Sequence, residues 1–196
     1  MRSAIIAVLL VASACSRAQT PIDTAYRLEV TLTGSPMINF FRLPRVPGSD
    51  GKTSLGYGTS LRVLWHPDRL LSVGLVSGYF VIATDEIPVA PPSTGGNYRA
   101  RLAGVPLQIA LSMRKYGAEI GVEIGTYLMM TTITGGNSAP AHGKRLELAT
   151  TIFGSYLFTV NDNIQIGPEL RVVDLRYRGI VSVMPSCSIR IIPLRY

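Results

Sequence analysis

The chain has 196 residues and a formal net charge of +7, and 16% of its residues are charged, against about 25% in ordinary soluble domains. Its mean hydropathy is +0.29, yet no uninterrupted apolar run reaches the roughly 18 residues that a membrane helix requires. This composition excludes a typical soluble domain and a helical membrane protein, and the length suits one domain.

The first element along the chain is an apolar run at 4–12, which a basic residue precedes and small residues follow. This pattern is typical of an export signal. We therefore predict a cleavable signal peptide at residues 1–18, with cleavage after Ala18, and one mature domain at residues 19–196. Lipid modification at Cys15 is the alternative. Loss of the signal removes two arginines and no acid, so the net charge falls from +7 to +5.

Eight segments with a period of two follow the signal. In the clearest, residues 116–132, one face carries Glu119, Glu123 and three glycines, whereas the other face is apolar. Successive side chains of a strand point to opposite faces, so this alternation predicts strands. The eight predicted strands cover about 25–33, 53–65, 70–84, 98–113, 116–132, 145–160, 164–178 and 180–196.

The connections between these strands alternate in length. Short turns such as "RKYG" and "VNDN" follow the even-numbered strands, and mostly longer loops follow the odd-numbered ones. Membrane barrels show this asymmetry, with short turns in the periplasm and long loops outside the cell. The sequence therefore predicts an all-β, eight-stranded antiparallel up-and-down transmembrane β-barrel. We also expect bulges at 103–106, where Pro106 cannot donate to a ladder, and near Val172.

Alternation does not by itself decide which face of a barrel is inside. A soluble barrel of the lipocalin kind, which buries its apolar face, is the alternative. However, the polar face is rich in Gly and Ser, which suits a narrow interior, and aromatic residues of the apolar face gather at the short-turn ends, as an interfacial girdle would. The sequence therefore favours apolar residues that face lipid. The girdle residues are Tyr26, Trp65, Tyr116, Tyr156, Phe158 and Tyr196.

Residues 102–129, LAGVPLQIALSMRKYGAEIGVEIGTYLM, combine a strand with a central proline, a Lys-Tyr turn and a glycine-rich strand. This strand pair resembles the outer membrane β-barrel proteins common in Bacteroidetes, which are small OmpA-like barrels. The resemblance extends loosely over residues 19–196 in strand number and in the terminal aromatic residue. It implies an eight-stranded barrel in the outer membrane, and it does not imply one activity.

An eight-stranded barrel is just wide enough for side chains to fill its interior. The polar face supplies acids and bases in nearly equal numbers, and buried charges are costly unless they are paired. We therefore predict a packed ion-pair network that plugs the lumen. A narrow gated pore for ions or small solutes is the alternative, because exchange of partners within such a network would open space. The predicted network residues are Arg27, Glu29, Arg62, Glu119, Glu123, Arg145, Glu147, Glu169 and Arg171.

Surplus positive charge falls at the long-loop ends of the strands, where it would face the outer leaflet. We predict that these residues contact outer membrane lipids and bind the phosphates of lipopolysaccharide. An ordinary hydrated rim is the alternative. The predicted rim residues are Arg99, Arg101, Lys144, Arg176 and Arg178.

The sequence predicts a structural or interaction protein whose long loops bind a partner outside the cell. It predicts no enzyme, no cofactor and no metal site, because its histidines, His66 and His142, have no acid or serine beside them at strand spacing. No glycine-rich phosphate loop opens a helix. We expect a monomer without a nucleic-acid partner, because export removes the chain from nucleic acid.

Overall fold

The fold is given by a computed structural model, which describes residues 26–42, 53–67, 70–87, 98–135, 139–176 and 179–195. The predicted signal peptide lies outside these ranges and stays a prediction. The described residues form nine β-strands, and they contain no helix that is long and apolar enough to cross a membrane. The strands are β1 (Arg27–Phe41), β2 (Thr53–His66), β3 (Leu71–Ile87), β4 (Tyr98–Lys115), β5 (Ala118–Thr134), β6 (Ala141–Tyr156), β7 (Phe158–Asn161), β8 (Ile164–Leu175) and β9 (Ile180–Arg195).

The described strands close into a ring. Every strand pairs antiparallel with its neighbours in the order β6-β5-β4-β3-β2-β1-β9-β8-β7, and β6 also pairs with β8. β6 and β7 are consecutive parts of one wall, separated at Leu157, whose N–H donates to the carbonyl oxygen of Gly117. Because β6 and β7 together occupy one strand position, the ring has eight strand positions. The predicted eight-stranded antiparallel barrel is confirmed.

The two ends of the barrel differ in their connections. At one end, which we call the short-turn end, Tyr116 and Gly117 turn the chain with φ of 53° and 82°. A second turn there is closed by the Asn161 side chain, whose Oδ1 accepts hydrogen bonds from the N–H groups of Asn163 and Ile164 at 2.9 and 2.8 Å. The first and last described strands also begin and end here. The opposite end is the long-loop end.

The barrel is apolar outside and polar inside. Leu55 and Leu75 on the outer face are 81% and 67% exposed, whereas Glu123 and Arg62 on the inner face are 0% and 1% exposed. In water this arrangement would expose apolar side chains and bury charges, and both effects oppose folding. In lipid the apolar belt is favourable and the closed ladder satisfies the backbone. The inverted arrangement is confirmed, and a lipocalin-type barrel is excluded.

Four neighbouring strands continue beyond the ring at the long-loop end. β6 pairs with β5 as far as Ala141, but it pairs with β8 only from Ala149 onward. Similarly, β3 pairs with β4 as far as Ile87, but it pairs with β2 only up to Val81. We call this extension the projecting sheet. It comprises 82–87 of β3, 98–102 of β4, 126–134 of β5 and 141–148 of β6.

Two predicted details of the strands were wrong. The first strand does not stop near 33 but continues to Phe41, because Gly34–Phe40 pair with β2 and Ile38–Phe41 pair with β9. The expected bulge at 103–106 is absent from β4, whose register with β5 is continuous. The irregularity instead lies on β3, where the register shifts between Val81 and Ala83 opposite this stretch.

The predicted bulge near Val172 was also wrong. β8 pairs with β9 in one register from Ile164 to Leu175. The prediction places the apolar Val173 and Leu175 on the lipid face, and this change of face requires a bulge. Both side chains are instead buried inside the barrel, at 2% and 1% exposure, because the interior near the long-loop end is itself apolar.

Candidate functional site

The barrel interior contains an ionic layer near its middle. The layer is a quartet of Arg62, Glu123, Glu169 and Arg171, which lie on β2, β5 and β8 at inward positions of each strand. Arg62 donates to Glu123 at 3.2 Å and to Glu169 at 2.6 Å. Arg171 donates to Glu123, and its Nε lies 3.8 Å from Glu169. Each arginine thus contacts both carboxylates, and the charges of the quartet balance.

A second group of charges lies closer to the short-turn end. Glu29 on β1 accepts a hydrogen bond from Arg114, and it forms ion pairs with Arg27 Nε at 2.8 Å and Arg190 Nε at 3.2 Å. His66 Nε2 lies 2.9 Å from Glu29 Oε2. We call this group the lower cluster. Its second carboxylate, Glu119, is shared in the same way: it accepts from Arg190 and lies 3.7 Å from Arg114 Nε.

Two hydroxyl groups donate further hydrogen bonds to these carboxylates. Ser112 donates to Glu119 at 2.7 Å, and Ser188 donates to Glu169 at 2.9 Å. Both serines are buried. Small hydroxyl side chains occupy the inward positions that lie between the longer charged ones, so the Ser-rich inner face serves the packing of the charges. Such additional hydrogen bonds offset part of the cost of burying the carboxylates.

An aromatic ring supports the ionic quartet. The Arg62 guanidinium carbon lies 4.0 Å from the centroid of the Phe153 ring, which is close enough for a cation–π contact. The ring itself lies over Gly121, its direct partner on β5. A Cβ on Gly121 would lie 2.5 Å from the ring, so glycine is required at this position. Phe80 lies over Gly58 in the same way on β3 and β2.

An apolar layer fills the interior between the ionic quartet and the long-loop end. Its members come from six of the nine described strands and are all buried. Phe80 and Tyr127 contact each other there with ring centroids 6.2 Å apart. The lower cluster, the ionic quartet and the apolar layer thus follow one another from the short-turn end to the long-loop end. The apolar layer comprises Met37, Phe41, Phe80, Ile82, Ala83, Tyr127, Met129, Ala149, Val173, Leu175, Ile180 and Met184.

The structure brings together seven of the nine residues predicted for the lumen network. They are divided between the quartet and the lower cluster: Arg27, Glu29, Arg62, Glu119, Glu123, Glu169 and Arg171. Glu147 is buried, but it lies on β6 at the level of the apolar layer, opposite Tyr127. Arg145 is exposed beyond it, and neither residue lies in the quartet or the lower cluster. β6 continues above the ring at this point, and its inward face is open there.

Sequence reasoning missed three members of the lower cluster, Arg114, Arg190 and His66. Among the predicted elements, Arg114 falls in the turn "RKYG", His66 falls in the turn between the strands at 53–65 and 70–84, and Arg190 lies in the last strand. In the structure Arg114 and His66 are the last inward residues of their strands. Extension of the alternation by one step from Ser112 and from Leu64 would have found both.

Three of the predicted rim residues share one outer face of the projecting sheet. Arg99 and Arg101 on β4 pair with Thr134 and Thr132 on β5, and Lys144 lies on the adjacent β6. All three cations are exposed, and the Arg101 guanidinium lies 6.0 Å from the centroid of Tyr79. The other two are separate from this group. Arg176 is exposed at the end of β8, and Arg178 lies outside the described residues.

The described girdle residues lie at the short-turn end. Trp65 is exposed on β2, and Tyr26 is exposed directly before β1. Tyr116 is exposed in the turn after β4 rather than on a strand. Tyr156 and Phe158 contact each other edge to face with centroids 5.0 Å apart. The remaining predicted girdle residue, Tyr196, lies outside the described part of the chain.

Neither histidine belongs to a described group that could perform metal chemistry. His66 is buried against Glu29, and His142 is exposed with Nδ1 3.4 Å from the Thr132 hydroxyl. Across the described ranges, no group of three or more His, Cys, Asp or Glu side chains could hold a metal ion. Cys187 is a free thiol on the outer face.

The chain is similar in structure to Neisserial surface protein A, with a TM-score of 0.54, 8% identity, and coverage of 84% of this chain and 96% of that one. The fold is that of an outer membrane β-barrel. Two further similarities are weaker. The attachment invasion locus protein Ail of Yersinia pestis gives a TM-score of 0.45 at 10% identity, covering 87% of this chain and 100% of that one. The N-terminal barrel of Pseudomonas aeruginosa OprF gives 0.41 at 12%, covering 83% and 97%.

No protein-family model and no curated protein sequence matches the chain. The resemblance to the Bacteroidetes barrels therefore stays a prediction. The fold and the apolar outer belt are those of a transmembrane protein of the Gram-negative outer membrane.

Proposed function

We propose that the protein is a monomeric, non-enzymatic outer membrane barrel with a structural interior and a long-loop end that binds a partner outside the cell. The observation that carries this proposal is that two layers of buried side chains, one ionic and one apolar, lie across the lumen. The balanced quartet occupies the middle of the barrel, and the apolar layer lies directly above it. Residues that face a conducting path are normally hydrated, whereas these charges are buried and paired with one another.

The two buried layers weigh against the alternative of a narrow gated pore. Exchange of partners within the quartet would have to coincide with displacement of Phe80, Met129 and Met184, which are no more than 1% exposed. Moving an ion past a dry apolar constriction also removes its hydration shell. We therefore assign the ionic layer a structural role.

Conductance in planar lipid bilayers tests this proposal. We expect the purified, folded barrel to give no unit conductance steps at moderate voltage. Fractionation should place the protein in the outer membrane, and its gel mobility should change on heating, as that of folded barrels does. Discrete conductance steps in the wild-type protein that disappear in an Arg62→Gln variant would contradict a structural interior and would support the pore.

We also propose that the outer rim contacts lipopolysaccharide phosphates. Arg99, Arg101 and Lys144 supply three cations on one outer face, just beyond the apolar belt, beside the hydroxyl groups of Thr132 and Thr134. Clustered cations and hydroxyl donors are the groups that bind phosphate. An ordinary hydrated rim would have the same residues without a bound lipid.

Charge reversal separates these two interpretations. We expect Arg99→Glu with Arg101→Glu to reduce the lipopolysaccharide that co-purifies with the barrel severalfold. Lys115→Glu, an exposed cation at the short-turn end, is the matched control and should leave the retained lipid unchanged. Equal retention in the rim variant and the wild type would support the hydrated rim.

A further inference from the structure

The outer edge of β6 lacks a partner strand within the described part of the chain. On one side β6 pairs with β5 along its whole length, Ala141–Tyr156. On the other side it meets β8 only from Ala149, so the stretch Ala141–Leu148 has an open edge. Most residues of this stretch are exposed. An open edge presents unpaired N–H and C=O groups, which form a template for another extended chain.

The direction of these backbone groups follows from one hydrogen bond. Leu157 donates its N–H to the carbonyl oxygen of Gly117, on the side of β5. In an antiparallel ladder, successive residues of a strand direct their backbone groups to opposite sides. Odd-numbered residues of this wall therefore bond to β5, and even-numbered residues point away from it. The N–H and C=O groups of His142, Lys144 and Leu146 face the open edge.

The open edge is basic. Lys144 and Arg145 are exposed along it, and Arg176 is exposed at its foot, directly after the last residue of β8. The acid on this stretch, Glu147, is buried. The apolar outer row of β6 ends at Leu146, so Lys144 and the residues before it lie beyond the lipid-facing belt. This part of the edge is thus placed in water on the outer side of the membrane.

The charge selects among occupants of the edge. Two copies of the chain that met edge to edge at β6 would bring Lys144 and Arg176 of each close to those of the other, and like charges on facing strands are destabilising. An extended segment that carries acidic side chains has the opposite charge, and it would also satisfy the backbone groups. Strand addition of this kind gives affinity through main-chain hydrogen bonds and specificity through side chains.

We propose that the projecting sheet captures an extended acidic segment of another protein, which adds as a further strand along Ala141–Leu146 of β6. This inference rests on the proposed function, since it names the surface and the class of partner at the long-loop end. The strand would bond to the backbone of His142, Lys144 and Leu146, and its carboxylates would lie beside Lys144 and Arg176.

Binding of a defined peptide to the barrel in lipid nanodiscs tests the proposal. The probe is a short labelled peptide of alternating glutamate and valine, followed by fluorescence anisotropy. Lys144→Pro and Lys144→Gln form a matched pair, because both remove the charge and only proline removes the N–H that faces the edge. We expect Lys144→Pro to raise the Kd about tenfold beyond Lys144→Gln, the loss of roughly one hydrogen bond. Heat-modifiable gel mobility checks that both variants fold.

Changes in the peptide provide a second measurement that does not depend on folding of the variants. A peptide N-methylated at alternate amides should bind the wild type at least about tenfold more weakly. A lysine–valine peptide should not bind. Amide hydrogen exchange at His142, Lys144 and Leu146 should slow when the glutamate–valine peptide binds.

Several outcomes would overturn the proposal. They are the absence of binding, equal loss of affinity in Lys144→Pro and Lys144→Gln, and binding of the N-methylated peptide as tightly as the parent. Self-association of the barrel that Lys144→Pro abolishes would assign the edge to a second copy. These outcomes can be distinguished from failure of the proposed function. If the barrel shows no conductance in planar bilayers and does not bind the peptide, only the present inference is contradicted.

Discussion

The ionic layer and the apolar layer fill adjacent parts of one cylinder, and they tolerate change differently. In the quartet, Arg62, Glu123, Glu169 and Arg171 each depend on two partners of opposite charge, so removal of one side chain leaves charges unpaired in a dry interior. In the apolar layer, contacts are non-directional, and the loss grows with the volume removed. The comparison predicts an abrupt response in one layer and a graded response in the other.

The largest effect is expected for Glu123→Ala. This change leaves Arg62 and Arg171 buried without one of their carboxylates, and we expect the free energy of unfolding to fall by about 3–5 kcal/mol. Urea titration in lipid vesicles, followed by Trp65 fluorescence, measures it. Glu123→Gln should lower the free energy of unfolding nearly as much. The glutamine side chain has almost the same shape, but its lost charge leaves both arginines without that carboxylate. A loss under about 1 kcal/mol for both variants would show that the quartet is hydrated and not a dry layer.

A graded series at Phe80 addresses the apolar layer. We expect Phe80→Ala to lower the free energy of unfolding by about 3 kcal/mol, and Phe80→Leu by about 1 kcal/mol, because leucine retains most of the volume. The same urea titration applies. If both substitutions lowered the free energy of unfolding equally, the apolar layer would respond abruptly, as the quartet is expected to. The predicted difference between the two layers would then be wrong.

The aromatic support of the quartet gives the next smaller effect. A Cβ on Gly121 would lie 2.5 Å from Phe153 and 2.6 Å from the Leu111 carbonyl oxygen. We therefore expect Gly121→Ala to destabilise by about 2 kcal/mol through overpacking. Gly154→Ala is the matched control, because its nearest contact would be 3.9 Å away, and its stability should be unchanged. Equal stability of the two variants would indicate that the Phe153 ring moves freely.

The smallest effect is expected outside both layers. Arg101 is exposed on the projecting sheet, so Arg101→Gln should change the free energy of unfolding by less than about 0.5 kcal/mol. The rim proposal predicts that the same variant retains less lipopolysaccharide. A large loss of stability in lipid-free detergent micelles would assign Arg101 a structural role instead.

Alternation was sufficient to predict the fold and the orientation of its faces. Glu119 and Glu123 share a face with three glycines, and the structure buries both acids. The same rule failed where the interior is apolar. The predicted bulge before Val173 and Leu175 depends on the assumption that the interior is polar along the whole barrel. In the structure the inner face changes from ionic to apolar towards the long-loop end.

The sequence could not predict which acid pairs with which base inside the barrel, and the reason is different. A period of two places Arg62, Glu123 and Glu169 inside, but their contacts depend on how far neighbouring strands are staggered around the ring. That stagger is a property of the closed barrel. It also determines that β6 rises above β8, which no local pattern in Ala141–Leu148 indicates.

The seam between β1 and β9 determines when this protein can assemble. Thr33 and Ser188, whose hydroxyl groups are hydrogen-bonded at 3.1 Å, are separated by 155 residues in the chain. Until β9 arrives, β1 has an unpaired edge that hydrocarbon does not tolerate. The polypeptide therefore cannot enter the bilayer progressively during synthesis. Stable insertion requires β9 to pair with β1, so the two ends of the described chain must both be present before the barrel can close.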